Sequence, residues 1–235
     1  MSFNITVEGG KSVRLPTKGK YCDRDIVVTV EGGDGDPNAL LDAVLNNTLT
    51  SIDSNVTSIV GYACRGLSKL KTVNLPNATS IGTYAFYYCT AMTSINAPKV
   101  TSLGTYAFYN SKLAMVNFPL ATSVPQNGFY SCSSLKVADF GAAKSIAASA
   151  FAYDAVLETL ILRRADAICT LANKNALVDT PIENGNGYVY IPAALKEQYA
   201  QSTNWSAYAA QFRALEDYTV DGTIWGDLDE AKIAA

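Results

Sequence analysis

The chain is predicted to be an α/β solenoid, its coils stacked with a parallel β-sheet along one face and short turns along the other. A small N-terminal β module and a helical N-terminal cap precede the coils. Three observations predict this. Ile59, Ile81, Leu103, Val124, Ile146 and Ile168 recur at separations of 22, 22, 21, 22 and 22 residues. A fixed period of this length marks a coil that cannot hide its own apolar face and must stack on a copy of itself. With that aliphatic as position zero, apolar residues return at +4, +5, +8, +11, +14 and +16, as in Ala85, Phe86, Cys89, Met92, Ile95 and Ala97. The last two straddle one polar residue, and Asn74-Leu75-Pro76, Asn96-Ala97-Pro98 and Asn117-Phe118-Pro119 close that segment with proline. This is strand alternation ended by a residue that cannot continue a ladder.

Residues 1–33 read as the β module. Ile5 and Val7, then Val13 and Leu15, alternate with polar neighbours, and Ile26-Val27-Val28 with Val30 gives a stronger strand. Residues 34–48 read as a linker and capping helix. Asp36 suits the N-cap, Pro37 the first turn, and Leu40, Leu41, Val44 and Leu45 form an apolar stripe. The coils occupy 49–192. Ala and Phe at +4/+5 cannot both point inward from a strand, so this part of each coil reads as a helical turn. The third coil is one residue short, and the fifth puts Asp154 in the small-apolar position held by Cys89 and Cys132. Ile168 opens a sixth, degenerate copy that regains strand-then-proline at Tyr188-Val189-Tyr190-Ile191-Pro192. Residues 193–235 read as a C-terminal helical cap with Trp205 as its apolar plug, and Val220–Trp225 as a hairpin.

Composition narrows the function. The net charge is −3 with no basic block, so the footprint that holds a phosphate backbone is missing and nucleic acid is not expected as a partner. No run of 18 apolar residues predicts a membrane span, and Met1–Gly10 lacks the basic and apolar regions of a secretory signal. The five cysteines show no CxxC spacing, and those sharing a repeat position lie too far apart to bridge; they read as small buried apolar residues. With no histidine in the chain, Ser-His, Cys-His and His-metal chemistry is excluded, and no glycine-rich phosphate motif is present. No enzyme activity, cofactor or metal is expected.

The line Thr-Ser-Ile-Gly-x-x-Ala-Phe-x-x-Cys-x-x-Met/Leu-x-x-Ile-Asn resembles the BspA-like (Treponema pallidum type) leucine-rich repeat over residues 49–192. The resemblance implies a right-handed leucine-rich-repeat coil used for binding and implies no enzymatic activity. Residues 5–30, from Ile-Thr-Val-Glu-Gly-Gly through Leu-Pro-Thr-Lys-Gly-Lys-Tyr-Cys to Ile-Val-Val-Thr-Val, are similar to short modules in phage and prophage structural proteins. Together with the missing leader, this points to a virion component that attaches through residues 1–33 to other virion proteins. Its repeats would then face a host-surface protein or glycan. The alternatives are a bacterial cell-surface adhesin and a self-assembling structural protein with no ligand, whose β module pairs between copies.

Two surface columns are the candidate sites. Asn74, Asn96, Asn117 and Asp139 stand between +14 and +16, turned by alternation onto the open sheet face. They form either a polar binding strip or an amide ladder serving stability, and the ladder is preferred. On the turn side, Tyr62, Tyr84 and Tyr106 share +3, Tyr87, Tyr109 and Tyr130 share +6, and Tyr88 and Tyr153 share +7. Of these, Tyr84, Tyr87, Tyr106, Tyr109 and Tyr130 are the binding candidates, because tyrosine gives rigid amphipathic contact area at low entropic cost. The alternative is tyrosine packed on tyrosine to thicken the outer wall.

Overall fold

The computed structural model describes residues 47–220 and 223–224, with the strands Ser2–Val7, Lys11–Pro16 and Ile26–Val30 before them. Ser2–Val7 is the middle strand of that N-terminal sheet, antiparallel to Lys11–Pro16 and parallel to Ile26–Val30. The expected capping helix, opening at Asp36-Pro37, lies outside the described residues.

From Ser51 the chain winds as parallel strands one period apart. Ser51–Asp53, Thr72–Asn74 and Ser94–Asn96 pair in register, Ile52 with Val73 with Ile95. Met115–Asn117, Val137–Phe140, Thr159–Leu162, Tyr188–Ile191 and Phe212–Ala214 continue the face, aligning Val116, Ala138, Leu160, Val189 and Phe212 on the buried side. A second, two-residue ladder runs beside it and aligns Ile59, Ile81 and Leu103, then Val124 with Ile146. Both ladders break across the third coil, the one of 21 residues. A chain path one residue shorter cannot keep both strands in phase with the coil below. Single bonds still cross it, from Lys112 N–H to the Met92 carbonyl at 2.9 Å and from Thr122 N–H to the Thr101 carbonyl at 3.1 Å.

The sixth copy is out of step with the expected period. Ile146 pairs with Leu171, not with Ile168, which is only half-buried. The segment 163–168 carries three extra residues before the ladder resumes, and Ile168 mimics the motif by chance of spacing.

Opposite the sheet, each coil turns through overlapping bonds between residues three apart, such as Ala85 N–H to Gly82 O and Cys89 N–H to Phe86 O, both 3.2 Å. The expected helical turn is therefore a chain of tight turns. Alternate N–H groups along it leave the coil, from Tyr84 to the Thr105 carbonyl at 3.0 Å and from Phe86 to the Ala107 carbonyl at 2.8 Å. Backbone polar groups are thus satisfied on this side too, as burial requires. Ala85 and Phe86 both point inward and are fully buried. Phe86, Phe108, Phe129 and Phe151 stack in one internal file, with centroids 5.6, 5.2 and 5.5 Å apart. Each buried ring contributes about 1.5–3 kcal/mol by leaving water, and each stacked pair about 0.5–1.5 kcal/mol more.

The described α-helix, Lys196–Gln201, belongs to the C-terminal end and not to the repeats. There Trp205 is fully buried and donates its indole N–H to the Cys169 carbonyl at 2.6 Å, while the Tyr199 hydroxyl accepts the Cys169 N–H at 2.7 Å. The chain then turns back. Tyr218 lies on Tyr190 with centroids 4.6 Å apart, over the outer side of the sheet. Thr219–Val220 pairs antiparallel with Thr223–Ile224 as a short hairpin.

Candidate binding faces

The tyrosine columns owe their order to the backbone beneath them. Position +3 has positive φ in successive coils, at Tyr62, Tyr84, Tyr106, Asn127 and Ser149, with values of 53° to 65°. Position +7 repeats this at Gly66, Tyr88, Asn110, Ser131 and Tyr153. A non-glycine residue there costs roughly 1–2 kcal/mol, an expense offset by the bonds to the next coil and by ring stacking.

Tyr62, Tyr84 and Tyr106 stack with centroids 4.9 and 4.8 Å apart and planes within 15° of parallel. Tyr87, Tyr109 and Tyr130 form the second column, both steps 4.9 Å. The columns lock together edge to face, Tyr84 against Tyr87 at 5.1 Å. Below Tyr87, at the same repeat position, the Arg65 guanidinium sits 5.2 Å from the ring centroid and 5.8 Å from that of Tyr62. Faces within each column are therefore covered, and what the wall presents to solvent is ring edges and hydroxyls. The five candidates are half-buried, while Tyr62, Tyr88 and Tyr153 are exposed. Among the described residues, no hydrogen bond engages the hydroxyls of Tyr84, Tyr87, Tyr106 or Tyr109, and none of these oxygens is buried. Burial first, and neighbouring phenols after it, raise the pKa of Tyr84, Tyr87 and Tyr109. They stay neutral at physiological pH, able to donate and to accept.

The asparagine strip behaves differently. Asn74 donates to Asp53 Oδ1 and Asn96 donates to Asn74 Oδ1, each at 2.8 Å, so the first rungs form an amide ladder. It stops at the short coil, and Asn117 stands half-buried above the gap. Asp139 corrects the expectation of an open face. It is 6% exposed, and Arg163 reaches back from just past the strand Thr159–Leu162 of the next coil to grip both carboxylate oxygens, at 2.7 to 3.0 Å. Burial pushes the Asp139 carboxyl up, partly opposed by the guanidinium. Ile161, next in register, is buried in the same part of the sheet, where Tyr190 and Tyr218 pack together. The sequence reading missed Arg65, Arg163 and Tyr218. Only Arg65 carried a signal, since it occupies a column that becomes tyrosine one period on.

Inside the solenoid, Cys64, Cys89, Cys132 and Cys169 are free and buried, and burial pushes the Cys89 and Cys169 thiols up to about 12. Asp154 is fully buried; one oxygen accepts the Cys132 N–H at 2.7 Å and the other has no partner. Among the described residues, no group of three His, Cys, Asp or Glu is placed to hold a metal ion.

A stack of near-identical strand-and-turn coils with a closed apolar interior defines a repeat solenoid. Six copies of the BspA type leucine-rich repeat region match residues 57–175, just over half of the chain, and the protein belongs to that family. In structure the chain is similar to a leucine-rich repeat protein from Bacteroides ovatus ATCC 8483, with a TM-score of 0.49 and 21% identity over 80% of this chain. It covers 47% of that protein's length. No curated protein matches the chain.

Proposed function

We propose that the protein is a non-enzymatic binding protein whose tyrosine wall contacts a protein or glycan on a host surface. The observation that carries this reading is the set of stacked, half-exposed tyrosines whose hydroxyls have no partner within the described chain. A surface already held rigid loses little freedom on binding. Of the settings considered, display on a bacterial cell surface accords with membership of the repeat family. Incorporation into a virion through residues 1–33 is the second setting, and it rests on the sequence resemblance of residues 5–30 to phage structural modules. Immunogold labelling of intact cells and of purified particles separates them.

The test of the wall is a triple variant, Tyr87→Phe/Tyr109→Phe/Tyr130→Phe, assayed by glycan array and by binding to host cells. Removing hydroxyls while keeping the rings should leave thermal stability within about 0.5 kcal/mol of wild type and weaken binding at least tenfold. Unchanged binding in both assays overturns the assignment.

A further inference from the structure

Three asparagines in the chain are followed by glycine, at Asn127-Gly128, Asn184-Gly185 and Asn186-Gly187. An asparagine in this setting is chemically labile, because glycine leaves its own amide nitrogen unshielded by a side chain. That nitrogen reaches the asparagine Cγ only if its N–H is released and both residues have room to move. The three sites differ on each count. Asn127 is 7% exposed, Gly128 is buried, and the Pro125 carbonyl holds the Gly128 N–H at 3.0 Å. Asn186 is exposed, but its glycine is wedged. Gly187 is buried, and a Cβ there would stand 2.8 Å from the Glu158 carbonyl oxygen and 2.9 Å from Ile182 Cγ1. The strand Tyr188–Ile191 begins at the next residue, with the Tyr188 N–H donating to that same carbonyl at 2.7 Å. Asn184 escapes these restraints. Asn184 and Gly185 are both exposed, and the nearest atom to a Cβ on Gly185, outside its chain neighbours, is Gln211 Nε2 at 3.7 Å. The Gly185 N–H meets the Ile182 carbonyl at 3.4 Å, a long bond that costs little to release. Among the described residues, no hydrogen bond engages the Asn184 side chain.

We infer that Asn184 is a site of spontaneous deamidation, converting to aspartate and isoaspartate while Asn127 and Asn186 are spared. The Gly185 nitrogen gives its proton to solvent base and bonds to Asn184 Cγ. The bond from Cγ to the side-chain nitrogen breaks, and that nitrogen leaves as ammonia. Water then opens the resulting succinimide. Opening at Cγ restores the ordinary backbone as aspartate, and opening at the main-chain carbonyl routes the chain through the side chain as isoaspartate, one atom longer. The net change is one water in and one ammonia out, with no oxidant or reductant. The loop springs from the end of the tyrosine wall. The Val178 carbonyl accepts the Tyr153 N–H at 2.8 Å, and Glu183 Oε2 accepts the Asp179 N–H at 2.7 Å. A carboxylate at 184 therefore joins Asp179 and Glu183 at that end, and the exposed tip takes up the extra backbone atom.

Full-length protein is held at neutral pH and body temperature for several weeks and sampled by peptide mass mapping. Electron-transfer fragmentation separates Asn184 from Asn186 within one peptide, and isoaspartate from aspartate. The expected result is conversion at Asn184 at least fivefold above either other site, faster in mildly alkaline buffer. Asn184→Gln removes the early conversion, and chain unfolded in guanidinium converts at all three sites at comparable rates. The inference is overturned by conversion mainly at Asn186 or Asn127, by a native chain that stays unmodified while the unfolded chain converts, or by an even spread over the three sites in the native chain.

Discussion

The tyrosine wall and the asparagine strip are written in the sequence with the same period, yet they end in opposite states. On the sheet side, Asn74 and Asn96 use their amides on one another and on Asp53, and Asp139 gives both oxygens to Arg163. On the turn side, rings stack on rings while the hydroxyls of Tyr84, Tyr87, Tyr106 and Tyr109 remain without partners among the described residues. The difference follows from side-chain shape. A short amide spans the coil spacing with its own donor and acceptor, so it can satisfy itself from coil to coil. A phenol spans the same spacing with its faces, and its one polar group is carried past the stack into water. A repeating column of amides therefore tends to be structural, and a column of tyrosines leaves chemistry at the surface.

Three perturbations test this contrast. The largest effect is expected on the strip. Arg163→Ala leaves the Asp139 carboxylate, with a side chain 8% exposed, buried without its counter-charge, and should cost about 3 kcal/mol in urea denaturation. A cost near zero would mean that the pair is not holding the sheet, and the structural role of the strip would fail at its strongest point.

An intermediate effect is expected in the core, where Asp154 is the inward-facing polar group whose second oxygen is unmatched. Burial raises its pKa well above the ordinary value. With the folded pKa above the unfolded one, the folded state holds the proton longer. Stability from this group is therefore complete below the unfolded pKa and is lost as pH rises towards the folded pKa. Asp154→Asn removes the titration. Its melting temperature should gain on wild type as pH rises from about 4 towards neutrality, reaching roughly 1–3 kcal/mol in stability. A difference that is flat with pH in calorimetry would show that Asp154 is not held as a neutral acid.

The smallest effect sharpens the contrast most. Asn74→Ala removes two rungs of the ladder and should cost about 1 kcal/mol without changing binding to host cells. Stability that stays the same while binding falls would move the binding surface from the turn side to the sheet side.

Much of the coil was legible because a solenoid's neighbour is its own sequence one period later. Phe86 meets Phe108, Tyr84 meets Tyr106 and Asn74 meets Asn96, since any column of like residues at this spacing is also a column in space. The same reasoning failed at Ile168, because a local insertion moved the true partner to Leu171 while leaving an aliphatic residue at the old spacing. It also could not say which column would satisfy itself, which depends on where each polar atom falls relative to the coil above.

The sequence by itself determined the repeat, the inward file of phenylalanines, the strand that stops within two residues of a proline and the existence of both surface columns. Each of these rests on contacts between equivalent positions, and equivalence is a property of spacing. Only the tertiary structure decided that Arg163 reaches Asp139, that Tyr218 returns over Tyr190, and that Tyr153 at +7 packs against Tyr130 at +6. These contacts join positions that are not equivalent, so they depend on the path of the backbone through turns, insertions and chain end, and no periodicity encodes that path.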